Sequence, residues 1–458
     1  MCGNPCSSTK KGGNLRFIAL AEFMKRTGIA IEHTTLLNGL RVVVAPDHTA
    51  PVASIGVYYK IGSRLEPRGR SGFAHLFEHL MFQGSANVPK MQHVRLINCS
   101  GGRPNGETGY DLTSYYQAVP SNALERVLWL EAERMRSLNV DEKNLENQRE
   151  VVKEEIRVNV LNEPYGTFPW LDIATVAFRN WANTHNPYGD FADLDAATLD
   201  DVRFFFKTFY VPNNAVLLML GDVDPEYGIA LTQKYFGDIL PAPEVLFVDT
   251  SEPEQTEERR GHVEEKFGTL PAMAIGYLMP TRRTRDWYAM ALLDQALHNG
   301  RAGRVHRELV LERQIAMEAG GGIDNVFGYN GPTQMKTHFM VKLEHSSESV
   351  LAAFDSVIHA VQEHGIPVDE LEQLKVKWRS SYYAHLEGGG RLLPRSGLMH
   401  LLACFMLFDH NPQLVNTILD GFLEVTEEEI LSAARRYLRT ENRAIVFRTP
   451  TRLREQAV

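Results

Sequence analysis

The chain has 458 residues, 44% hydrophobic and 23% charged, with 48 basic against 57 acidic side chains and a formal net charge of −9. That length exceeds what one core usually supports, so at least two domains of an ordinary globular protein are expected. With no Lys/Arg block, no run of 18 apolar residues and only four cysteines, the sequence speaks against a nucleic-acid stripe, a membrane span and a disulfide scaffold.

In chain order, residues 1–28 read as a tail with one short amphipathic helix over 15–25, and Cys2 and Cys6 belong to that tail. Lys10 and Lys11 precede only a short apolar stretch, a poor signal-peptide core, so the cytoplasm is the default compartment and the periplasm the alternative. Strands are expected over 40–46, after the Asn38-Gly39 turn, and over 52–59, as a hairpin or neighbouring pair. The loop 62–72 then leads into a helix over 71–82.

This helix carries the chemistry. His75 and His79 are an i,i+4 pair on one helical face, able to reach one metal ion, and Glu78 sits beside that face. H-x-x-E-H is the spacing of two zinc-binding imidazoles with a carboxylate that activates water. Three ionisable groups in a run of Leu, Phe and Met would be costly to bury without a compensating partner. Catalytic zinc usually takes three protein ligands, so a His2Glu set needs a distant carboxylate. A helix over 147–157, with Val151, Val152 and Ile156 on or near its buried side, offers Glu150, Glu154 and Glu155, and spacing does not choose among them.

Between the two helices, residues 101–110 hold Gly101, Gly102, Pro104, Gly106 and Gly109, poor strand-interior residues that suit a loop or an edge strand close to a ligand's backbone. A strand follows over 115–118, then an N-capped helix over 121–137 with Leu124, Val127, Leu128 and Leu130 on its apolar face. Residues 204–210 end a further helical region, and 215–220 form a buried strand.

The Pro- and Glu-rich stretch 241–260 reads as a linker. Beyond it the first half is copied: a strand pair with Phe267 and 272–277, a charged turn over 281–286, and a helix over 287–299. Aligning Gly84 with Gly300 sets Ala291, Asp294 and Gln295 opposite His75, Glu78 and His79, so the copy keeps the helix without its ligands. Helices follow over 351–363 and 368–384, and Gly388-Gly389-Gly390 breaks the second and permits bending. The expected fold is α+β: two homologous α/β-sandwich-like halves, each a mixed sheet with helices packed on it, related as a pseudo-repeat and enclosing a chamber. The expected divisions are a tail (1–28), a metal-bearing domain (29–240), the linker (241–260) and a second domain without ligands (261–458).

HLFEH at 75–79 and NQREVVKEEIR at 147–157, with GGRPNGETGYDLTSYY at 101–116, NPYGD at 186–190 and LMLGDVDPE at 218–226, resemble the pitrilysin/insulinase family of zinc peptidases, the inverzincins. The likeness covers nearly the whole chain and is nearest to its processing-peptidase-like bacterial members. It implies a metalloendopeptidase with one Zn2+ held by His75, His79 and Glu155, and with Glu78 as the base. It also implies that peptide substrate adds to an edge strand at Asn105, Gly106 and Glu107. Phe82 matches the position lining the pocket for the residue after the cut, which implies apolar or aromatic preference there.

Two departures stand out. Gln148 occupies the place, seven positions before Glu155, where many relatives have an acid. An Arg and a Tyr that bind substrate in active relatives fall on Val310 and Met317, neither of which donates a hydrogen bond, with Arg307, Arg313 and Tyr329 nearby. The resemblance therefore implies the zinc-bearing subunit of a heterodimer whose related partner supplies the Arg/Tyr pair, with a homodimer as the competing assembly. A non-catalytic core subunit of a larger complex is the rival reading, and a zinc-storage or regulatory site the third.

Overall fold

The computed structural model describes residues 28–244, 248–324, 326–388 and 395–455. Alternating and all-apolar runs build two mixed sheets. The first contains β1 (Glu32–Thr35), β2 (Arg41–Pro46), β3 (Val52–Tyr59), β4 (Arg103–Thr108), β5 (Thr113–Pro120) and β6 (Ala215–Gly221), in the order β1-β2-β6-β3-β5-β4. The second contains β7 (Arg259–Glu265), β8 (Ala272–Leu278), β9 (Ala316–Ile323), β10 (Gln334–Val341) and β11 (Arg443–Pro450), in the order β7-β11-β8-β10-β9. Without β1, the two orders superpose strand for strand, so the pseudo-repeat is a property of the topology.

The expected hairpins are absent for one shared reason. β2 and β3 are separated by β6, which pairs parallel with β2 and antiparallel with β3. Likewise β11 lies between β7 and β8, parallel to the first and antiparallel to the second. β6 is buried along its whole length, as a central strand covered on both faces must be. Phe267 lies in the turn after β7 and is exposed, outside any strand.

The helices that position the site are α1 (Phe73–Leu80), α2 (Leu124–Arg136), α3 (Glu142–Ile156) and α4 (Trp170–Ala177) in the first half. Their second-half companions are α5 (Arg285–His298), α6 (Ser347–His364), α7 (Val368–Glu387) and α8 (Ser396–Asp409). One face of the first sheet, with Val42, Val44, Ile55, Val57 and Leu217, packs on α1, α2 and α3. Its other face, with Val43, Tyr58, Tyr116, Val216 and Leu218, is covered by α8 from the second half. The second sheet is treated reciprocally: Ala272, Ala274, Ala444 and Val446 form a shallow face on which α4 of the first half lies through Ile173 and Ala177. Each sheet is thus sealed by a helix from the opposite half.

Other expectations changed locally. Residues Ser121–Ala123 form a 3-10 turn before α2, and the Ser121 hydroxyl donates to Asp222 Oδ2 at 2.7 Å instead of capping the helix. Val151 faces solvent, while Val152 and Ile156 are buried. Within 241–260, Glu252 accepts from the Arg179 and Asn180 amides and from Asn183, and β7 begins at Arg259. α7 runs on to Glu387, and Gly389 and Gly390, like the helix expected over 15–25, lie outside the described residues. Among the described residues no helix is long and apolar enough to cross a membrane.

Candidate metal centre

The local sequence fixes the start of α1. Gly72 has φ of 83°, and a Cβ there would lie 2.7 Å from Gly189 Cα, so the Asn186–Asp190 turn rests directly on the helix entry. The fully buried Glu66 carboxylate accepts from the amides of Gly72 (2.9 Å) and Ala74 (2.7 Å), two of the orphan donors of that helix end. It also takes a hydrogen bond from His185 Nε2 at 3.1 Å. Burial pushes the Glu66 pKa up, while His185 and the two amides pull it down.

From this anchored helix His75 and His79 project toward α3. His75 Nε2 is 3.6 Å from Glu155 Oε1, and His79 Nε2 is 3.4 Å from Glu155 Oε2. Among the described residues, these three side chains alone bring ligand atoms within 4.8 Å of one another as a group able to hold a metal. Ligands bound at the usual zinc distances in a tetrahedron stand about 3.3 Å apart, close to the spacings seen here. Both spacings exceed good hydrogen-bond length, and His75 Nδ1 is buried without a partner. The donor set and spacing therefore fit a divalent zinc-like cation.

Of the three glutamates of α3, Glu155 faces the imidazoles, while Glu150 and Glu154 make i,i+3 ion pairs with Lys153 and Arg157. The two facing imidazoles of His75 and His79 hold the Glu155 carboxyl far below the usual carboxylate range. Burial opposes charge on His75, but Glu155 outweighs it and raises the imidazole pKa. Gln148 is buried and donates to Asn147 Oδ1, away from the cluster.

Glu78 does not join the cluster and instead accepts from Thr108 Oγ1 at 2.7 Å. Thr108 is the last residue of β4, the edge strand, whose inner side pairs with β5 from Arg103↔Ala118 to Thr108↔Thr113. Gly106 lets this strand close on α1: a Cβ there would come within 3.0 Å of Glu78 Cγ and 3.3 Å of Phe82 Cε2. Gly106 and Glu107 line a cavity of about 450 Å³ together with His75, Glu78 and Glu155. Asn105 points elsewhere and donates to the Tyr116 hydroxyl. Phe82 lies behind Gly106, outside the cavity wall, packed on Tyr115 and 5.4 Å from the Arg134 guanidinium. Among the described residues no Lys or Arg lines this cavity, whereas Glu78, Glu107, Glu155 and Asp324 all do, an arrangement that favours a cation.

Several contributors went unread in the sequence. Thr108 could have been found, since period-two alternation puts it on the face of Gly106. Glu66 and Trp170 gave no local signal, because the contacts that define them are tertiary, and Tyr188 and Tyr329 were noticed only within NPYGD and by position. Val310 is packed against the second-half core, Met317 is exposed on β9, and neither reaches the cavity. Arg307 and Arg313 pair with Glu312 and Glu308, whereas Tyr329 does line the cavity. At the pseudo-equivalent position on α5, Asp294 binds His298 at 2.8 Å, and His298 in turn meets Thr337.

Known proteins resemble this chain over most of its length. The model for insulinase (peptidase family M16) matches residues 41–177, and that for the peptidase M16 inactive domain matches residues 196–377. The chain belongs to the M16 insulinase peptidase family. The zinc protease PqqE of Helicobacter pylori is 28% identical over 440 residues, covering 92% of this chain and 93% of that protein. A probable mitochondrial-processing peptidase subunit beta of Arabidopsis thaliana is 26% identical over 217 residues, 46% of this chain and 39% of the other. The crystal structure of a protease from Helicobacter pylori superposes with a TM-score of 0.85 at 26% identity, covering 92% of this chain and all (100%) of that one. A peptidase M16 inactive domain from Pseudomonas fluorescens gives a TM-score of 0.81 at 17% identity over 92% of this chain and 98% of its own, a likeness of fold. The insulinase match covers β2 to α4 with the metal cluster, while the inactive-domain match starts at residue 196, within the first half, and takes in β6 of the first sheet.

Proposed function

We propose that this M16 chain is a zinc-dependent endopeptidase that hydrolyses unstructured peptides, acting as the metal-carrying subunit of a dimer with a related chain. The observation that carries this reading is the His75–His79–Glu155 cluster, with Glu78 held beside it by Thr108. Zinc, when bound, would supply Lewis-acid polarisation of the scissile carbonyl and a water of lowered pKa. Glu78 accepts a proton from the attacking water and returns it to the leaving amine. The free edge of β4 offers main-chain donors and acceptors to an extended peptide, laying it across the cavity mouth by strand addition. Relatives named zinc proteases support the same assignment.

The partner follows from Val310 and Met317, which lack the donors needed near a scissile carbonyl; a related chain would contribute an Arg and a Tyr. A second reading, a non-catalytic core subunit, is favoured by one observation: the model matching residues 196–377 describes an inactive domain. The test is to purify the chain alone and with a co-expressed related chain, then measure zinc content and hydrolysis of an unstructured peptide mixture. One zinc per chain with hydrolysis in the mixed complex supports the proposal. Hydrolysis by the chain alone would remove the partner from it, and zinc-free protein in both preparations would sink it in favour of the core-subunit reading.

A further inference from the structure

A carbonyl that develops negative charge during hydrolysis needs a donor aimed at its oxygen, and the cavity at the metal cluster has few side chains able to act as one. Thr108 is taken by Glu78, and Trp170 Nε1 donates to the Gly166 carbonyl at 3.0 Å. Tyr110 and Tyr329 meet edge-on at 5.2 Å, with the Arg64 guanidinium 5.0 and 5.6 Å from their rings. Arg64 itself pairs with the buried Asp111. Beyond burial, the charges felt most by both phenols are those of Arg64, Asp111 and Asp324, at the rear of the cavity.

Tyr188 is differently placed. Its ring stands edge-on to that of His75, with centroids 5.1 Å apart and planes at 84°, and it also meets the Trp170 ring at 5.9 Å. After burial, the charges felt most by this phenol are those of Glu155 and Glu78, and all three raise its pKa, which keeps the proton on the oxygen. Among the described residues nothing accepts from its hydroxyl. The backbone beneath it is fixed. The Tyr188 amide donates to Asn186 Oδ1 at 3.0 Å, and the Asp190 amide donates to Ser71 Oγ at 3.0 Å. Gly189 rests so closely on Gly72 that a Cβ at 189 would come within 2.6 Å of the Gly72 Cα. The turn that carries Tyr188 is therefore bound to the start of the helix that carries two of the ligands, so the ring and the cluster keep their relative place.

The geometry points to Tyr188 as a catalytic residue: its hydroxyl, beside the ligand His75 in the first half, donates a hydrogen bond to the oxygen of the scissile carbonyl. This rests on the peptidase reading above and adds to it a donor from the metal-bearing half itself. With the peptide lying along Gly106 to Thr108 of β4, the attacking water forms the new C–O bond while Glu78 takes its proton. The carbonyl π electrons move onto the oxygen, where the Tyr188 O–H meets them. When the carbonyl re-forms and the C–N bond breaks, the electron pair leaves with the nitrogen, which takes the proton held by Glu78. Tyr188 keeps its own proton throughout. Its hydrogen bond strengthens as charge grows on the oxygen, so it acts on kcat rather than on KM.

The experiment uses zinc-loaded full-length protein and two peptide probes matched in sequence. One is a phosphinic peptide, whose tetrahedral oxyanion mimics the adduct, and the other is a thiol-capped peptide, which reaches zinc through sulfur. Tyr188→Phe keeps the ring against His75 and removes only the hydroxyl. It should bind the phosphinic probe about ten- to a hundredfold more weakly than wild type, with thiol-probe affinity and zinc affinity by chelator competition unchanged. In whichever preparation hydrolyses the peptide mixture, the chain alone or the mixed complex, kcat should fall by a similar factor at constant KM. Equal phosphinic affinity in wild type and Tyr188→Phe would overturn the assignment while leaving the zinc reading intact. Parallel loss of both probes would also overturn it, since the hydroxyl would then be holding the metal site and not the carbonyl oxygen. Failure of the zinc-loaded wild type to bind either probe would remove the peptidase reading and this inference together.

Discussion

The Thr108 hydroxyl lies 2.7 Å from Glu78 Oε2, a donor on the edge strand aimed at the one carboxylate of the H-x-x-E-H run that is not a ligand. This bond fixes the Glu78 carboxylate and ties the edge strand β4 to the helix bearing the cluster. Thr108→Val should keep the zinc content and lower kcat by about ten- to a hundredfold, the range for losing a hydrogen bond to a charged group. Thr108→Ser should restore most of the rate. Zinc analysis alongside steady-state kinetics checks both outcomes.

Removal of metal gives a second prediction. A cation that binds only the folded chain stabilises it by about 2.7 kcal/mol at a concentration a hundredfold above Kd, so zinc should raise Tm and a chelator lower it. Glu155→Gln should respond to neither. A thermal shift of equal size in wild type and Glu155→Gln would mean that zinc binds elsewhere.

Glycine at position 106 is required by the approach of β4 to α1. Gly106→Val would drive a side chain into Glu78 and Phe82, so activity should fall by more than tenfold while the global unfolding midpoint moves little. The edge position of β4 is what confines the damage. Urea titration and kinetics on the same preparation separate the two effects.

The Arg64–Asp111 pair predicts a large change in stability. Asp111→Ala leaves a buried guanidinium and the Asn330 and Gly331 amides without their acceptor, at a cost of about 3–5 kcal/mol. Arg64→Met combined with Asp111→Leu should cost less than the sum of the single changes, because neither charge is then stranded. Denaturant unfolding of the four proteins completes the cycle.

His185 gives a dependence on pH. Burial lowers its pKa, but the hydrogen bond it donates to Glu66 outweighs this and raises the folded-state value above that of the unfolded chain. The stabilisation it brings is therefore fully present below the unfolded value, about 6.5, and is lost as pH rises through the folded value. His185→Gln should flatten the thermal-stability profile across that window. An unchanged profile would show that His185 stays neutral beside Glu66.

Much of the site was legible because it is local. His75, Glu78 and His79 lie within one turn and a third of helix, and helical periodicity alone puts the two imidazoles on one face. The third ligand was not legible from spacing, since Glu150, Glu154 and Glu155 share one helix and only the packing of that helix against α1 brings Glu155 to the two imidazoles. Strands over 40–46, 52–59, 115–118, 215–220 and 272–277 were found in place, whereas β7 was displaced to Phe267 and β1, β9, β10 and β11 went unread. The pairing was misjudged in both halves by the same mechanism. A hairpin is the local reading of two successive strands, and nothing in residues 40–59 or 259–278 announces that a strand from far downstream inserts between them. Tyr329 was noticed for its position in the sequence, and its place at the cavity depends on contacts more than 200 residues away in the chain.

The exchange of α4 and α8 between the sheets bears on how such a chain could arise and be taken apart. Neither half owns all the helices that keep its sheet dry, so a duplicated ancestor built this way would have been an arm-exchanged pair before the two copies were fused. The contacts of α4 and α8 that join the halves lie outside 241–260. A protein nicked within that stretch should remain one particle through gel filtration, and the two fragments made separately should be insoluble until they are refolded as a mixture.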